Sequence, residues 1–318
     1  MSSIDVTIIG AGSWGRALAH NLLKNNKKIL MYSRSPMHQQ YVENTNISLT
    51  DEVENIFTCK APCVIATPVK SLHEIGSLIK KENFNEPIIL TCKGIDSASG
   101  EFPTQIISNY TSNNNLAVLS GPSFASEVLD DKPTAVTIAS KNKIVAKTFS
   151  EMFHNKFFRV YASEDVIGCQ LGGAMKNILS VAVGISDGLG LGSNAKAALI
   201  SRGILEMKII GKILGCNSDT IYGLSGLGDL VLTANDNLSR NRRFGIEIAQ
   251  GSKIKDAEKK IGQVVEGIFA ARGLDILMKK YSLNLPISSK VFDIINEKVN
   301  PKDAVNDLLL REQKSEFV

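Results

Sequence analysis

Histidine is scarce in this chain: His20, His38, His73 and His154 are the only four, and no HExxH is formed. Cysteine is nearly as scarce. Cys59, Cys63, Cys92, Cys169 and Cys216 make an odd set without a CxxC pair. Cys59 and Cys63 lie close together, but no second pair or nearby histidine completes the ligands of a zinc site. No metal is therefore expected, and the thiols read as free, in a reducing compartment. Apolar runs of about 18 residues are missing, so no transmembrane helix and no membrane insertion are expected. The N-terminal MSSIDVTIIG lacks a basic stretch followed by a long apolar core, which argues against a signal peptide. The expected location is cytoplasmic.

Charge of one sign is also lacking. Lys plus Arg is 36 and Asp plus Glu is 32, a formal net charge of +4 over 318 residues. That gives no reason to expect a nucleic-acid-binding protein, whose footprint is a concentrated basic face, and leaves room for local basic sites that take small anions. With 43% hydrophobic and 21% charged residues, the chain has the apolar material of an ordinary globular protein, which excludes disorder as its main state. At about 150 residues per domain the length predicts about two domains. No internal repeat or low-complexity linker separates them.

The first half alternates short apolar runs with amphipathic stretches. Val6 to Gly10 (VTIIG) is a β-branched run of the buried parallel-strand type. A helix is expected from Arg16 to Asn25, with Ala17, Leu18, Leu22 and Leu23 on one face. Further strands are expected at Lys28–Ser33, Cys63–Thr67, Pro87–Cys92, Leu116–Leu119, Ala135–Ala139 and Phe157–Tyr161. Such alternation predicts a parallel or mostly parallel doubly wound, Rossmann-like α/β sheet. From Ser163 strand-like runs give way to helical stretches near 165–184, 194–214, 239–251, 266–281 and 285–296, punctuated by Gly215, Gly251, Pro286 and Pro301. The expected division is a dinucleotide-binding domain over 1–163 and an all-helical domain over 164–318 carrying substrate and catalysis.

Gly10-Ala-Gly12-Ser13-Trp14-Gly15 follows a strand and opens a helix, the context in which GxGxxG binds a dinucleotide. Gly10 permits the turn, Gly12 lets a pyrophosphate approach the backbone, and Gly15 allows close helix–strand packing. The pyrophosphate would meet free N–H groups at the helix start. The second strand ends Met31-Tyr32-Ser33-Arg34, without the acid that holds the ribose hydroxyls of NAD. Ser33 and Arg34 suit a 2′-phosphate instead. Arg34 also reads as a solvated surface arginine. The expectation is NADP(H), with NAD(H) open.

Lys176 stands among Met175, Ile178, Leu179, Val181 and Val183. Desolvation lowers the pKa of a lysine in such a place, which suits a general acid or base. The competing reading is a lysine snorkelling from the edge of a core helix. Leu224-Ser-Gly-Leu-Gly-Asp229 is a glycine-rich loop with one carboxylate. Asp229 either orients Lys176 or a substrate hydroxyl, or serves as a turn or cap residue. In Ser239-Arg240-Asn241-Arg242-Arg243, with Ser239 as N-cap, three arginines oppose the helix dipole unless an anion sits there. Ser, Arg and Asn beside free N–H groups make a phosphate site. A solvated basic patch is the alternative.

Taken together, these stretches resemble one family, the bacterial-type NAD(P)-dependent glycerol-3-phosphate dehydrogenases. GAGSWGRALA (10–19), CKGI (92–95), LSGPSFASEV (119–128), LGGAMKN (171–177), GLSGLGDLVLT (223–233), SRNRRFG (239–245) and GQVVEG (262–267) carry the likeness, in that order, over almost the whole chain. The resemblance implies reversible reduction of dihydroxyacetone phosphate to sn-glycerol 3-phosphate, a precursor of glycerophospholipids. It implies Lys176 as the catalytic acid/base, Lys93 as a lysine near cofactor and substrate that polarises the carbonyl, and Asp229 beside them. It implies substrate contacts from Lys93, Gly121, Ser123, Lys176, Asp229, Ser239, Arg240 and Asn241. Cofactor contacts are implied for Ser13, Trp14, Arg34, Lys93, Ala125, Arg240, Val264 and Glu266, beside Gly10, Gly12 and Gly15. A homodimer is implied as well. The chain departs from the family in a shortened stretch, 35–58, and in Ala66-Thr67-Pro68-Val69 where Ala-Val-Pro-Ser is usual. Both bear on the adenosine side and leave the NADPH/NADH preference open. A β-hydroxyacid dehydrogenase or imine reductase resembles the chain in its glycine loop and helical-domain lysine. Such enzymes usually carry Asn four residues after that lysine, where Ser180 stands here. A non-catalytic NADP(H) sensor would not need Lys93, Lys176 and Asp229 together.

Overall fold

The computed structural model describes residues 4–34, 46–112, 114–312 and 315–316. The shortened stretch lies outside the described residues between 35 and 45. The N-terminal elements are β1 (Val6–Ile9), α1 (Ser13–Lys24), β2 (Ile29–Tyr32), β3 (Ile47–Thr50), α2 (Glu54–Thr58) and β4 (Cys63–Ile65). They continue as α3 (Leu72–Lys81), β5 (Ile88–Leu90), α4 (Pro103–Ser108), β6 (Leu116–Ser120), α5 (Ala125–Leu129), β7 (Thr134–Ala139), α6 (Lys143–Phe153) and β8 (Phe158–Ser163).

The eight strands form one sheet in the order β3-β2-β1-β4-β5-β6-β7-β8. Every pairing is parallel except β6 with β7. The sheet is thus the mostly parallel, doubly wound one expected, with one strand more. β3 was not anticipated. It is an edge strand in which only Ile47 is buried, so its alternation is weak. Within β1, Val6 and Ile8 pack on the face covered by α1 and α6, and Ile9 packs on the face covered by α3 and α4. This is the two-residue period of a strand buried on both faces. The order reverses between β1 and β4, where open α/β sheets bind ligands beyond the strand ends.

After Ser163 the regular elements are helical: α7 (Val166–Gly188), α8 (Gly192–Ile213), α9 (Ser218–Tyr222), a π-helical turn (Leu224–Gly228) and α10 (Asp229–Asn235). Then come α11 (Arg240–Ala249), α12 (Ile254–Ile261), α13 (Glu266–Lys280), α14 (Pro286–Ile295) and α15 (Pro301–Leu309). α7 is the axis of this half. It is long and apolar enough to cross a membrane, although Lys176 interrupts its apolar run. Of its most apolar stretch, 89% is buried inside the fold, so here it is a core helix. Its first turns also reach the sheet, where Val166 and Cys169 join the core beneath β5 and β6. Gln170 exchanges hydrogen bonds with Thr104 of α4, accepting at Oε1 (2.9 Å) and donating from Nε2 (2.9 Å). A long amide buried at such a junction is satisfied on both sides.

All five cysteines are free. Burial pushes the thiols of Cys63 and Cys216 up to about 12 and that of Cys169 to about 11, which keeps them protonated. Among the described residues no group of three or more His, Cys, Asp or Glu is placed to hold a metal ion.

Candidate active site

The glycine loop joins β1 to α1 under tight constraints. Gly10 has φ +111°, and a Cβ there would lie 2.7 Å from the Ala66 carbonyl oxygen. A Cβ on Gly15 would sit 1.8 Å from the Gly10 carbonyl oxygen. Gly12 faces open space and is exposed. α1 starts at Ser13, earlier than the apolar periodicity indicated, and no side chain caps it. Its first N–H groups are left for an anion, so the loop fits the pyrophosphate of a dinucleotide. Trp14 is half-buried beside it, Arg34 is exposed just past β2, and Ala125 opens α5.

Two lysines converge on one carboxylate. Lys93 follows β5, and its Nζ donates to Asp229 Oδ2 (2.6 Å) and to the Gly121 carbonyl (2.8 Å). Lys176, on α7, brings Nζ within 3.2 Å of Asp229 Oδ1 and donates to Thr233 Oγ1 (3.0 Å). Asp229 is 1% exposed, and the two lysine side chains are 13% and 12% exposed. The Lys176 ammonium is thus directed to Asp229 rather than out to water. Asp229 is not an N-cap: Gly228 holds that position, without a side-chain cap. The consecutive glycines of α7 make this meeting possible. A Cβ on Gly172 would lie 2.3 Å from the Ser225 carbonyl oxygen in the π-helical turn, and one on Gly173 would lie 3.3 Å from Lys93 Cγ.

Electrostatics follow from this geometry. Burial lowers the Lys176 pKa from the ordinary lysine value, the Asp229 charge opposes that, and the Lys93 charge adds to it. Burial alone would raise the Asp229 carboxyl, but Lys176 and Lys93 outweigh it and hold it below its ordinary value. Glu266, the first residue of α13, is raised by burial against the pull of Arg240, Lys176 and Lys93. Three cations therefore face two carboxylates, and the surplus positive charge suits an anionic ligand.

Gly121 has φ +133°, and its carbonyl also accepts from Ser123 Oγ (3.0 Å). A cavity of about 30 Å³ lies between Lys93 and Glu266, walled by Pro68, Val69, Val264 and Phe269. Through Ala66 and Thr67, this wall continues into the glycine loop. A second, apolar groove of about 920 Å³ is walled by α8, α14 and α15, and neither lysine nor the glycine loop lines it.

Ser239 caps α11 as expected, its Oγ accepting from Arg242 N (3.2 Å). The three arginines do not act alike. Arg242 is paired with Asp187, with Nη2 2.6 Å and Nε 2.7 Å from Oδ2, so the argument that all three await an anion holds only for Arg240 and Arg243. Arg240 is half-buried and Arg243 exposed. Asn241 is committed to structure: Oδ1 accepts from Gly267 N (3.0 Å) and Nδ2 donates to Asn177 Oδ1 (2.7 Å). Asn177 Nδ2 in turn donates to the Lys93 carbonyl (3.1 Å) and Glu266 Oε2 (3.3 Å).

Thr233 and Asn177 were not singled out as site residues by sequence. Thr233 carried a readable signal, one helical turn after Asp229 and therefore on the same face. Asn177 carried only its adjacency to Lys176.

Comparison with known proteins shows the family. Residues 5–146 match the family model described as the NAD-dependent glycerol-3-phosphate dehydrogenase N-terminus, and residues 165–306 match the corresponding C-terminus. A glycerol-3-phosphate dehydrogenase [NAD(P)+] of Halothermothrix orenii is 41% identical, with 98% of this chain and 96% of the relative covered. One from Bartonella tribocorum is 39% identical over the full length of both. The crystal structure of glycerol-3-phosphate dehydrogenase from Coxiella burnetii superimposes with a TM-score of 0.91 at 35% identity, covering 97% of this chain and 99% of that one. With a glycine loop at the switch point and two lysines on one buried carboxylate, the chain belongs to the NAD-dependent glycerol-3-phosphate dehydrogenase family.

Proposed function

We propose that the protein interconverts dihydroxyacetone phosphate and sn-glycerol 3-phosphate with NAD(P)H, and so supplies the precursor of glycerophospholipids. The observation that carries this reading is the buried Lys93–Asp229–Lys176 arrangement, two cations held by one carboxylate. Bound nicotinamide supplies a hydride to the ketone carbon. Lys176 Nζ then gives its proton to the carbonyl oxygen, and Lys93 adds a second positive charge where the alkoxide develops. In the reverse direction Lys176 takes the proton from the hydroxyl. Asp229 stays ionised, fixes both ammoniums and favours their charged forms. The Gly121 carbonyl accepts from both Lys93 Nζ and Ser123 Oγ, which in this reading puts Gly121 and Ser123 beside the substrate.

In this reading residues 1–163 hold the dinucleotide through Gly10, Gly12, Ser13, Trp14, Gly15, Arg34 and Ala125, with Lys93 at the nicotinamide end. Residues 164–318 carry the substrate and add Arg240, Val264 and Glu266 to the cofactor. At the start of α11 the phosphate is received by Arg240 and the free N–H groups, with Ser239 and Asn241 shaping the turn through their own hydrogen bonds. Binding that remote group orients a small ketone and contributes to the rate. Free thiols fit a cytoplasmic setting. A homodimer is part of the proposal: Leu309 and Leu310, 76% and 85% exposed, are surface that a subunit contact would cover. Light scattering that returns the mass of a single chain at micromolar concentration would remove that element.

The assay is NADPH or NADH absorbance on adding dihydroxyacetone phosphate to the purified protein. Oxidation of either cofactor is the expected result, and silence with both at high substrate rejects the reading. Arg34 decides between them. Replacing Arg34 by alanine is expected to lower kcat/KM for NADPH about tenfold, the worth of one charge-assisted contact, and to leave NADH unchanged. Equal effects on both cofactors would make Arg34 an ordinary surface residue.

A further inference from the structure

Among the arginines at the start of α11, Arg242 is set apart by its partners. Asp187, near the C-terminal end of α7, takes Arg242 Nη2 and Nε at 2.6 and 2.7 Å and Lys196 Nζ from α8 at 3.0 Å. Arg242 Nη1 donates to Asn237 Oδ1 at 2.6 Å, so one guanidinium ties the chain before α11 to the end of α7. The side chains of Arg242, Asp187 and Lys196 are 12%, 15% and 21% exposed, where an ion pair is little screened. The backbone is fixed at the same place: a Cβ on Gly184 would lie 2.0 Å from the Arg242 carbonyl oxygen. Ser239 and Asn241 are spent on Arg242 N and on Gly267 N and Asn177. The segment that would receive the phosphate thus has little freedom of its own. Its position is set from α7 and α8.

We propose that Asp187 and Arg242 form a positioning pair for the phosphate-binding turn, with Lys196 as the second cation on the same carboxylate. Neither residue meets the reacting atoms. They hold the N-terminal turn of α11 so that Arg240 and the free N–H groups point at one place. Among the described residues the Arg240 guanidinium has no hydrogen-bond or salt-bridge partner, although its charge reaches Glu266, and it is left for the ligand. This inference rests on the functional reading above, and it specifies which arginine binds and which one places the binder.

The test is Asp187→Asn, assayed with dihydroxyacetone phosphate and, at high enzyme concentration, with phosphate-free dihydroxyacetone. KM for the phosphorylated ketone is expected to rise about tenfold, because small misplacements of an orienting group are costly. At saturating NADPH, kcat/KM for dihydroxyacetone is expected to stay within about twofold, and Asp187→Asn in an Arg242→Gln background to add nothing further. If Asp187→Asn fails to fold, Arg242→Lys carries the same readout, since it keeps the charge and loses the two-nitrogen contact. Equal losses on both ketones would overturn the proposal and leave the pair a purely structural one. Unchanged kinetics would overturn it too. Wild-type protein inactive on dihydroxyacetone phosphate would reject the functional reading itself, a distinguishable result.

Discussion

Replacing Lys176 by alanine is expected to lower kcat by about a thousandfold or more, because one side chain supplies both the proton and part of the charge stabilisation. The fold should survive. Asp229 keeps Lys93 at 2.6 Å, so no buried carboxylate is left alone, and Thr233 Oγ1 still donates to the Asp229 carbonyl at 2.7 Å. Circular dichroism near that of wild type with kcat nearly lost is the expected pair of results. A variant keeping more than about a tenth of wild-type kcat would mean that another group moves the proton. The pH profile offers an independent check. Reduction needs Lys176 protonated, and burial places its pKa below the ordinary lysine value. The rate of reduction is therefore expected to fall as pH rises through that lowered pKa, before an exposed lysine would lose its proton. Oxidation, which needs the neutral amine, should rise over the same window. An alkaline limb no lower than that of a free lysine would contradict the burial argument.

Substituting Gly184 by alanine is expected to be strongly destabilising. The added Cβ would lie 2.0 Å from the Arg242 carbonyl oxygen, which is backbone and cannot rotate away. Gly245, across the same contact, leaves no slack, since a Cβ there would lie 2.3 Å from the Val181 carbonyl oxygen. α7 and α11 must then separate, at a cost of about 3 kcal/mol. Thermal denaturation should show a Tm lowered by about 6 °C or more. Gly190→Ala is the control. Gly190 has φ +71° with open space around it, so an alanine there meets only backbone strain, about 1 kcal/mol. Equal Tm values for the two variants would show that the helix contact yields. Any Gly184→Ala protein that folds should also bind dihydroxyacetone phosphate less well, because the displaced backbone is the turn proposed to receive the phosphate.

Much of this protein was legible before any coordinates. Strands such as Val6–Ile9 declare themselves because a strand buried on both faces reads as a nearly continuous β-branched apolar run, here broken only by Thr7. The glycine loop is legible because each glycine answers a local demand, for a turn, an approach or a contact. β3 was missed because an edge strand buries one face poorly, which leaves Ser48 and Leu49 exposed and no period to read. α12 is short and mostly charged, with a single buried residue, Ala257.

The roles of the polar residues divide differently. By itself the sequence determined which chemistry is available: lysines in apolar surroundings, one acid in a glycine-rich turn, arginines at a helix start, all of them composition set against local periodicity. It left open whether Asp229 caps a helix or holds a lysine, and whether Lys176 reaches water. Only the tertiary structure decided that Asp229 bridges Lys93 and Lys176, that Asn241 is used on Gly267 and Asn177, and that Arg242 belongs to Asp187. The physical reason is range. Burial and helix or strand period are set by neighbours within a turn or two of the chain. Partners such as Lys93 and Asp229, 136 residues apart, meet only where packed helices bring them, here because Gly172, Gly173, Gly184 and Gly245 let α7 come close to its neighbours.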